Sequence, residues 1–158
     1  MFGHYTLRRE QTLNGTPDEV FPFFAEARNL ERITPPFLEF RVLHADEMRV
    51  GALIEYRLKL HGVPIRWLTQ IQEWEPGERF VDVQLRGPYA LWHHTHTFEE
   101  TDDGNTLMRD TVRYALPYGP LGTVAHRLFV QRDIERIFDY RTVSVPSMPS
   151  SRWSPTGQ

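Results

Sequence analysis

Residues 37–116 alternate between apolar and polar side chains with a period of two, and turn residues interrupt the alternation five times. Successive side chains of a β-strand point to opposite faces, so this pattern predicts six strands. Connections this short join neighbouring strands in antiparallel order. The predicted strands cover residues 38–44, 52–60, 64–74, 79–85, 89–99 and 106–116.

Other elements are predicted on both sides of this block. A first strand is expected over residues 5–13, and Thr16 then begins a helix as its cap, with Glu19 completing a capping box. A second short helix is expected over residues 27–33. After the last strand, apolar residues recur at helical spacing over residues 119–141, which predicts one long amphipathic helix.

This order of elements predicts an α+β fold with a curved seven-stranded antiparallel sheet. The apolar face of such a sheet must be covered, and the long C-terminal helix is the only predicted element large enough to do so. A curved sheet closed around one helix leaves a space, which we expect to be an internal cavity. We expect one domain over residues 1–143, and a disordered Ser- and Pro-rich tail over residues 144–158.

Composition excludes several classes of function. The net charge is -3, and no basic patch is interleaved with aromatic residues, so a nucleic acid is not the expected partner. No run approaches the roughly 18 apolar residues of a membrane-spanning helix. The chain contains no cysteine, which removes disulfides and thiolate nucleophiles and agrees with a cytoplasmic location.

Residues 92–98 carry the strongest functional signal. On this predicted strand Trp92, His94, His96 and Phe98 share one face, which is both aromatic and ionisable. Large rings with two imidazoles are more typical of the wall of a ligand-sized cavity than of a plain core strand.

A short turn after this strand predicts the register with the next one. The turn over residues 101–105 pairs Phe98 with Met108 and His96 with Asp110. We therefore expect a contact between His96 and Asp110 inside the cavity. Three roles remain open for such a pair: it can orient a polar group of a ligand, form a satisfied structural pair, or move a proton.

Several segments resemble the START/SRPBCC superfamily, and most closely its bacterial ligand-binding and polyketide cyclase/dehydrase-like branch. The resemblance lies in residues 64–67, 80–84, 87–89, 92–98 and 110–117, and it extends over about residues 5–143. It implies the helix-grip fold, in which the sheet grips the C-terminal helix around a cavity. It also favours an inward orientation of Asp82 and Gln84, which strand alternation alone leaves open.

We therefore expect this cavity to bind a small hydrophobic molecule, whether aromatic, polycyclic or lipid-like, without a cofactor. An alternative is a cyclase-, aromatase- or dehydrase-type enzyme, with His96, Asp110 and His94 as the candidate catalytic residues. A protein-interaction module is a further alternative, supported only by Trp153 in the tail. The candidate ligand-binding residues are Tyr56, Trp67, Thr69, Phe80, Asp82, Gln84, Trp92, His94, His96, Phe98, Asp110, Val112 and Tyr114.

Two histidines at positions i and i+2 of a strand also raise the question of a metal. His94 and His96 project in parallel, and Asp110 or Asp82 would supply the third ligand of a catalytic-type site. The superfamily resemblance implies no metal, and we expect none. The remaining histidines, His61 and His126 among them, are expected to be surface or boundary residues.

Overall fold

The computed structural model describes residues 4–144, except for the side chains of residues 123, 127, 128, 143 and 144. Its strands are β1 (His4–Leu13), β2 (Arg41–Ala45), β3 (Leu53–Leu60), β4 (Val63–Glu75), β5 (Arg79–Arg86), β6 (Leu91–Glu100) and β7 (Thr106–Ala115). Its helices are α1 (Pro17–Ala25), α2 (Pro120–Ala125) and α3 (Gln131–Ser144). Short 3-10 helices cover Ala27–Arg32 and Pro36–Leu38, and a π-helical segment, His126–Val130, joins α2 to α3.

The seven strands form one antiparallel sheet in the order β1-β7-β6-β5-β4-β3-β2. Strands β2 to β7 follow one another as a meander, and β1 pairs with β7 at the other edge. The α+β helix-grip fold predicted from the sequence is therefore confirmed. The largest difference in a strand boundary is at β2, which begins at Arg41 because Pro36–Leu38 forms a 3-10 turn; β6 begins at Leu91, two residues later than predicted.

The first helix begins where the sequence predicts. The side chain of Thr16 accepts a hydrogen bond from the backbone N–H of Glu19 at 3.3 Å, and Pro17 occupies the first turn. Residues Val20, Phe21, Phe23 and Phe24 are buried by α1, and with Phe98 and Met108 they form a core at one end of the sheet. This end of the inward face is therefore solid.

Helix α3 covers a different part of the same face. Ile134 and Phe138 are buried against Val112 and Tyr114 of β7. At the turn between β3 and β4, His61 Nε2 lies 2.7 Å from Asp133 Oδ2 of α3. This contact ties the turn between β3 and β4 to α3. A gap remains between α3 and the sheet.

His126 is buried, in contrast to the surface or boundary position expected from the sequence. Its Nε2 lies 2.8 Å from the hydroxyl of Tyr114, and its ring stacks on Tyr5 with centroids 3.4 Å apart. Burial lowers the pKa of His126. The ring therefore works as an uncharged packing partner that fixes the π-helical segment on β1 and β7.

No helix within residues 4–144 is both long and apolar enough to span a bilayer. The predicted tail lies, from residue 145 onwards, outside the described residues.

Candidate functional site

A cavity of about 140 Å³ lies between the sheet and α3. Aromatic rings form much of its wall: Trp67 is stacked near Tyr56 with centroids 5.7 Å apart and meets Trp92 edge-on at 5.2 Å. The cavity is lined by Phe24, Ala27, Leu30, Thr34, Leu38, Phe40, Met48, Ile54, Tyr56, Leu58, Leu60, Trp67, Thr69, Ile71, Phe80, Asp82, Pro88, Tyr89, Trp92, His94, His96, Ile137, Phe138 and Arg141. Most of these side chains are apolar, so the interior favours an apolar guest.

Four charged or ionisable side chains form a compact cluster on one wall. His94 Nε2 lies 2.8 Å from Asp110 Oδ1, and His96 Nε2 lies 2.7 Å from Asp82 Oδ2. The other nitrogens are close to the opposite carboxylates: His96 Nδ1 is 3.1 Å from Asp110 Oδ1, and His94 Nδ1 is 3.7 Å from Asp82 Oδ2. Each histidine therefore hydrogen-bonds one aspartate and lies close to the other. We call these four residues the His–Asp cluster.

Strand register explains how the cluster forms. Asp110 pairs with His96 across β6 and β7, as the sequence predicts, and Asp82 pairs with His94 across β5 and β6. The shortest contacts run diagonally, from His94 to Asp110 and from His96 to Asp82. The inward orientation expected for Asp82 is confirmed.

The histidine rings are held by stacking as well as by charge. Phe80 stacks on His96 with centroids 4.0 Å apart, and His96 lies 3.6 Å from the ring of His94. Phe138 of α3 contacts His94 edge-on at 5.5 Å. This column fixes both imidazoles with one edge of each ring towards the carboxylates.

The two histidines differ in their affinity for a proton. Burial alone would lower the pKa of His96, but Asp110 and Asp82 outweigh it and raise that pKa. For His94, burial and the positive charge of His96 together lower the pKa in spite of both aspartates. Near pH 6.5, between these two pKa values, the cluster therefore holds an imidazolium at His96 and a neutral ring at His94. Since a carboxylate only accepts, the proton of His94 lies on Nε2, towards Asp110.

Both aspartates stay ionised. Burial would raise the pKa of Asp110, but its contacts with His94 and His96 lower it well below the usual range. The pKa of Asp82 is lowered in the same way, against its burial, by His94, His96 and Arg141. Arg141 of α3 adds a further cation, with Nη1 3.7 Å from Asp110 Oδ1. Two carboxylates are thus balanced by one imidazolium and one guanidinium.

The ring geometry does not suit a metal ion. One ligand atom each from Asp82, His94 and His96 lie within 4.8 Å of one another. A zinc ion, however, binds in the plane of each imidazole at about 2.0–2.1 Å from the nitrogen. The two rings are 3.6 Å apart with only 30° between their planes, so their lone pairs do not converge on one point at that distance. In this arrangement His94 forms a hydrogen bond with Asp110, and His96 forms one with Asp82.

The structure divides the residues singled out in the sequence into two groups. Eight of them line the cavity: Tyr56, Trp67, Thr69, Phe80, Asp82, Trp92, His94 and His96. Five do not line it. Phe98 packs in the core under α1, and Val112 and Tyr114 pack under α3. Asp110 lies behind the histidines, and the side-chain amide of Gln84 forms hydrogen bonds of 2.8 and 3.1 Å with the backbone of Tyr89.

Sequence reasoning missed two polar residues of the cavity wall, Arg141 and Tyr89. A signal for Arg141 does exist, because Ile134, Phe138 and Arg141 follow at i, i+4 and i+7 and so share one face of α3. No comparable signal marks Tyr89, which precedes β6 and reaches the cavity through the bonds that Gln84 makes to its backbone.

Comparison with solved structures gives the class of fold. The Zhui aromatase/cyclase from Streptomyces sp. R1128 is similar with a TM-score of 0.76 and 16% identity, over 98% of this chain and 99% of that one. The protein TTHA0849 from Thermus thermophilus is similar with a TM-score of 0.69 and 17% identity, over 89% and 97%. The ginseng major latex-like protein 151 from Panax ginseng is similar with a TM-score of 0.56 and 14% identity, over 84% of this chain and 96% of that one. These likenesses establish the helix-grip fold.

Sequence comparison gives the family. Residues 4–141 match the family described as polyketide cyclase / dehydrase and lipid transport. The chain therefore belongs to this family. No curated protein sequence matches the chain at a significant level.

Proposed function

We propose that the chain binds a small apolar molecule, aromatic, polycyclic or lipid-like, in the cavity between the sheet and α3. The observation that carries this proposal is the cavity itself, whose wall is mostly apolar and aromatic. A space of this kind is costly in a folded core, because the surrounding side chains lose packing contacts that they would otherwise make. A bound ligand restores those contacts.

The volume of the cavity sets the size of ligand that enters without movement of the protein. An apolar cavity of roughly 150 Å³ engineered in another protein binds benzene. The cavity here, at about 140 Å³, accepts a group of about that size. A polycyclic or lipid-like ligand requires α3 or the segment around Thr34 to move outwards, and both border the cavity.

The His–Asp cluster supplies the polar end of the proposed site. His94 and His96 line the cavity, while Asp110 lies behind them and fixes their orientation. We infer that an apolar ligand packs against Trp67, Trp92 and Tyr56 and turns its polar group to these histidines. Contact area then provides affinity, and the cluster provides orientation.

Native protein is expected to bind the fluorescent dye 8-anilinonaphthalene-1-sulfonate (ANS) at about one molecule per chain, with blue-shifted emission, because one ring of the dye enters the apolar cavity and outward movement of α3 or of the segment around Thr34 admits the rest. A small hydrophobic competitor such as toluene should displace it. Fluorescence titration measures both, and near-UV circular dichroism in the same samples checks that aromatic packing stays native. Absence of binding to natively packed protein would contradict the proposal.

A second candidate function is acid–base catalysis of ring closure or dehydration. The observation that favours it is the pairing of an imidazolium at His96 with a neutral imidazole at His94, since burial and the aspartates move their pKa values apart. In such a reaction a neutral imidazole takes a proton from an activated methylene group, whose carbon then attacks a carbonyl carbon, and a cationic partner stabilises the negative charge that develops on the carbonyl oxygen. The family description includes cyclases and dehydrases.

Catalysis makes a separate prediction. A linear poly-β-keto thioester should cyclise about 100- to 10,000-fold more slowly with the His94→Gln protein than with the unchanged protein, the usual contribution of a general acid or base. ANS affinity should change by less than about threefold, because the glutamine keeps a polar side chain at the wall. Product formation is followed by mass spectrometry, with His93→Gln, on the other face of β6, as the control. Equal rates with and without protein would exclude catalysis of this reaction.

A further inference from the structure

The guanidinium of Arg141 is buried without adequate hydrogen bonding. Its side chain is 10% exposed and lines the cavity. Its Nε makes no hydrogen bond to any residue in the part of the chain that the structure describes. The single ion pair that it forms there, from Nη1 to Asp110 Oδ1, is 3.7 Å long and so exceeds hydrogen-bond distance. Its ring neighbour Phe138, 5.0 Å away, offers no acceptor oxygen.

A buried guanidinium in this state is unusual. It carries five N–H donors and no acceptor, and each donor left without a partner away from water costs free energy. In most proteins a buried arginine is paired in a bidentate manner with a carboxylate or a similar oxygen group. Here Asp110 does not fill that role, because its one contact with the guanidinium, from Oδ1 to Nη1, is 3.7 Å long.

The side chains around Arg141 leave its N–H groups without an acceptor. The imidazolium of His96 and the guanidinium of Arg141 balance the charges of Asp82 and Asp110, but the hydrogen bonds to these carboxylates come from the histidines. The hydroxyl of Tyr56 lines the same cavity and already bonds Thr69 at 3.0 Å. Among the described residues, the guanidinium therefore has an ion pair but no hydrogen bond.

We propose that Arg141 binds an acceptor oxygen of the ligand, a carbonyl or a carboxylate, and so selects apolar molecules that carry such a group. This inference rests on the proposed binding function and names the chemical class of its ligand. A hydrocarbon leaves the guanidinium without a partner, and an ammonium group adds a cation beside it. A carbonyl or carboxylate oxygen near Arg141 satisfies the free donors while the rest of the ligand remains among the aromatic side chains.

Four single-ring compounds of similar size test the proposal: acetophenone, benzoate, ethylbenzene and benzylammonium. Their affinities are measured by displacement of ANS and by chemical-shift titration. Acetophenone should bind about fivefold more tightly than ethylbenzene, as expected for one neutral hydrogen bond. Benzoate should gain about tenfold or more if the site accepts an anion, and a gain for acetophenone alone identifies a neutral carbonyl. Benzylammonium should bind most weakly.

Variants of Arg141 show whether this residue is responsible. In the Arg141→Met protein, acetophenone and benzoate should fall to the affinity of ethylbenzene, while ethylbenzene itself stays within about twofold. Retained binding of ethylbenzene also shows that the variant folds. Arg141→Lys keeps a charge beside Asp110 but lacks the planar fork, and should recover benzoate binding only in part. The control is Arg136→Met on the same helix, whose guanidinium lies over Phe37 and outside the cavity.

The outcomes distinguish a failure of the role proposed for Arg141 from a failure of the proposed binding function. If ethylbenzene binds as tightly as acetophenone and benzoate, or if Arg141→Met weakens all four compounds equally, the role of Arg141 is overturned and the binding function stands. If none of the four binds the unchanged protein, the proposed function fails, and the inference fails with it.

Discussion

The Asp110→Asn protein is expected to be about 3–5 kcal/mol less stable than the unchanged protein, the usual effect of removing one partner from a buried ion pair. Asp110 is 4% exposed and contacts His94, His96 and Arg141. An asparagine keeps the shape of the side chain but removes the negative charge. The imidazolium and the guanidinium then lie in a poorly solvated interior with only Asp82 to balance them. Urea denaturation followed by circular dichroism at pH 7 measures the difference.

Asp139→Asn is the matched control for this substitution. Asp139 lies on the outer face of α3, where its side chain is 69% exposed and contacts Arg9 at 3.5 Å. An exposed pair of this kind contributes about 0–1 kcal/mol, so the control should unfold close to the unchanged protein. A loss below about 1 kcal/mol for Asp110→Asn would contradict the view that the cluster depends on charge balance.

The Leu58→Trp protein is expected to lose most of its affinity for apolar probes while remaining folded. Leu58 lines the cavity from β3, so a larger ring there takes up space that a ligand would occupy. A loss of about 80 Å² of apolar contact, at about 25 cal/mol per Å², corresponds to about 2 kcal/mol or roughly 30-fold in affinity. Stability should be unchanged or slightly raised, because the ring fills a void rather than displacing packed atoms.

The matched control is Leu85→Trp, which adds the same ring on β5 at a side chain that is 48% exposed and outside the cavity lining. ANS titration and thermal unfolding are measured on both proteins. Equal affinities for the two variants would mean that the dye binds elsewhere. A large fall in the stability of Leu58→Trp would mean that the site is already filled by packed side chains.

Strand register was predictable from the sequence because two independent features agree on it. Trp92 and Phe98 define the inward face of β6, and the short turn before β7 leaves one pairing in which Asp110 reaches that face. Because side chains alternate with a period of two, the face assignment carries His94 and His96 with it. The contact between His96 and Asp110 therefore follows from the sequence of β6, β7 and the turn between them.

The position of the cavity along the inward face was not predictable in the same way. Alternation tells which side chains point inward, but not which element covers them. Phe98 points inward and lies beneath α1, and Tyr114 points inward and lies beneath α3, so both belong to the packed core. Only the positions of the helices in the folded structure determine which part of this face is packed and which part lines the cavity.

Gln84 and Arg141 illustrate the limits at the ends of elements. Gln84 has the inward parity of β5, but its amide forms two hydrogen bonds with the backbone of Tyr89, which closes the loop before β6. Arg141 lies near the end of α3, where a charged residue is ordinarily interpreted as a favourable partner of the helix dipole. Its spacing from Ile134 and Phe138 places it on the covered face of α3, but that pattern does not show that the face stays covered as far as the end of the helix.

A crystal structure of the protein soaked with bromobenzene tests the central claim most directly, because anomalous scattering locates the bromine atom without assumptions about the ligand. We expect one strong peak between the sheet and α3, in contact with Tyr56, Trp67 and Trp92. Bromine peaks only at the outer surface, with closely packed side chains between the sheet and α3, would contradict the presence of a ligand-binding cavity.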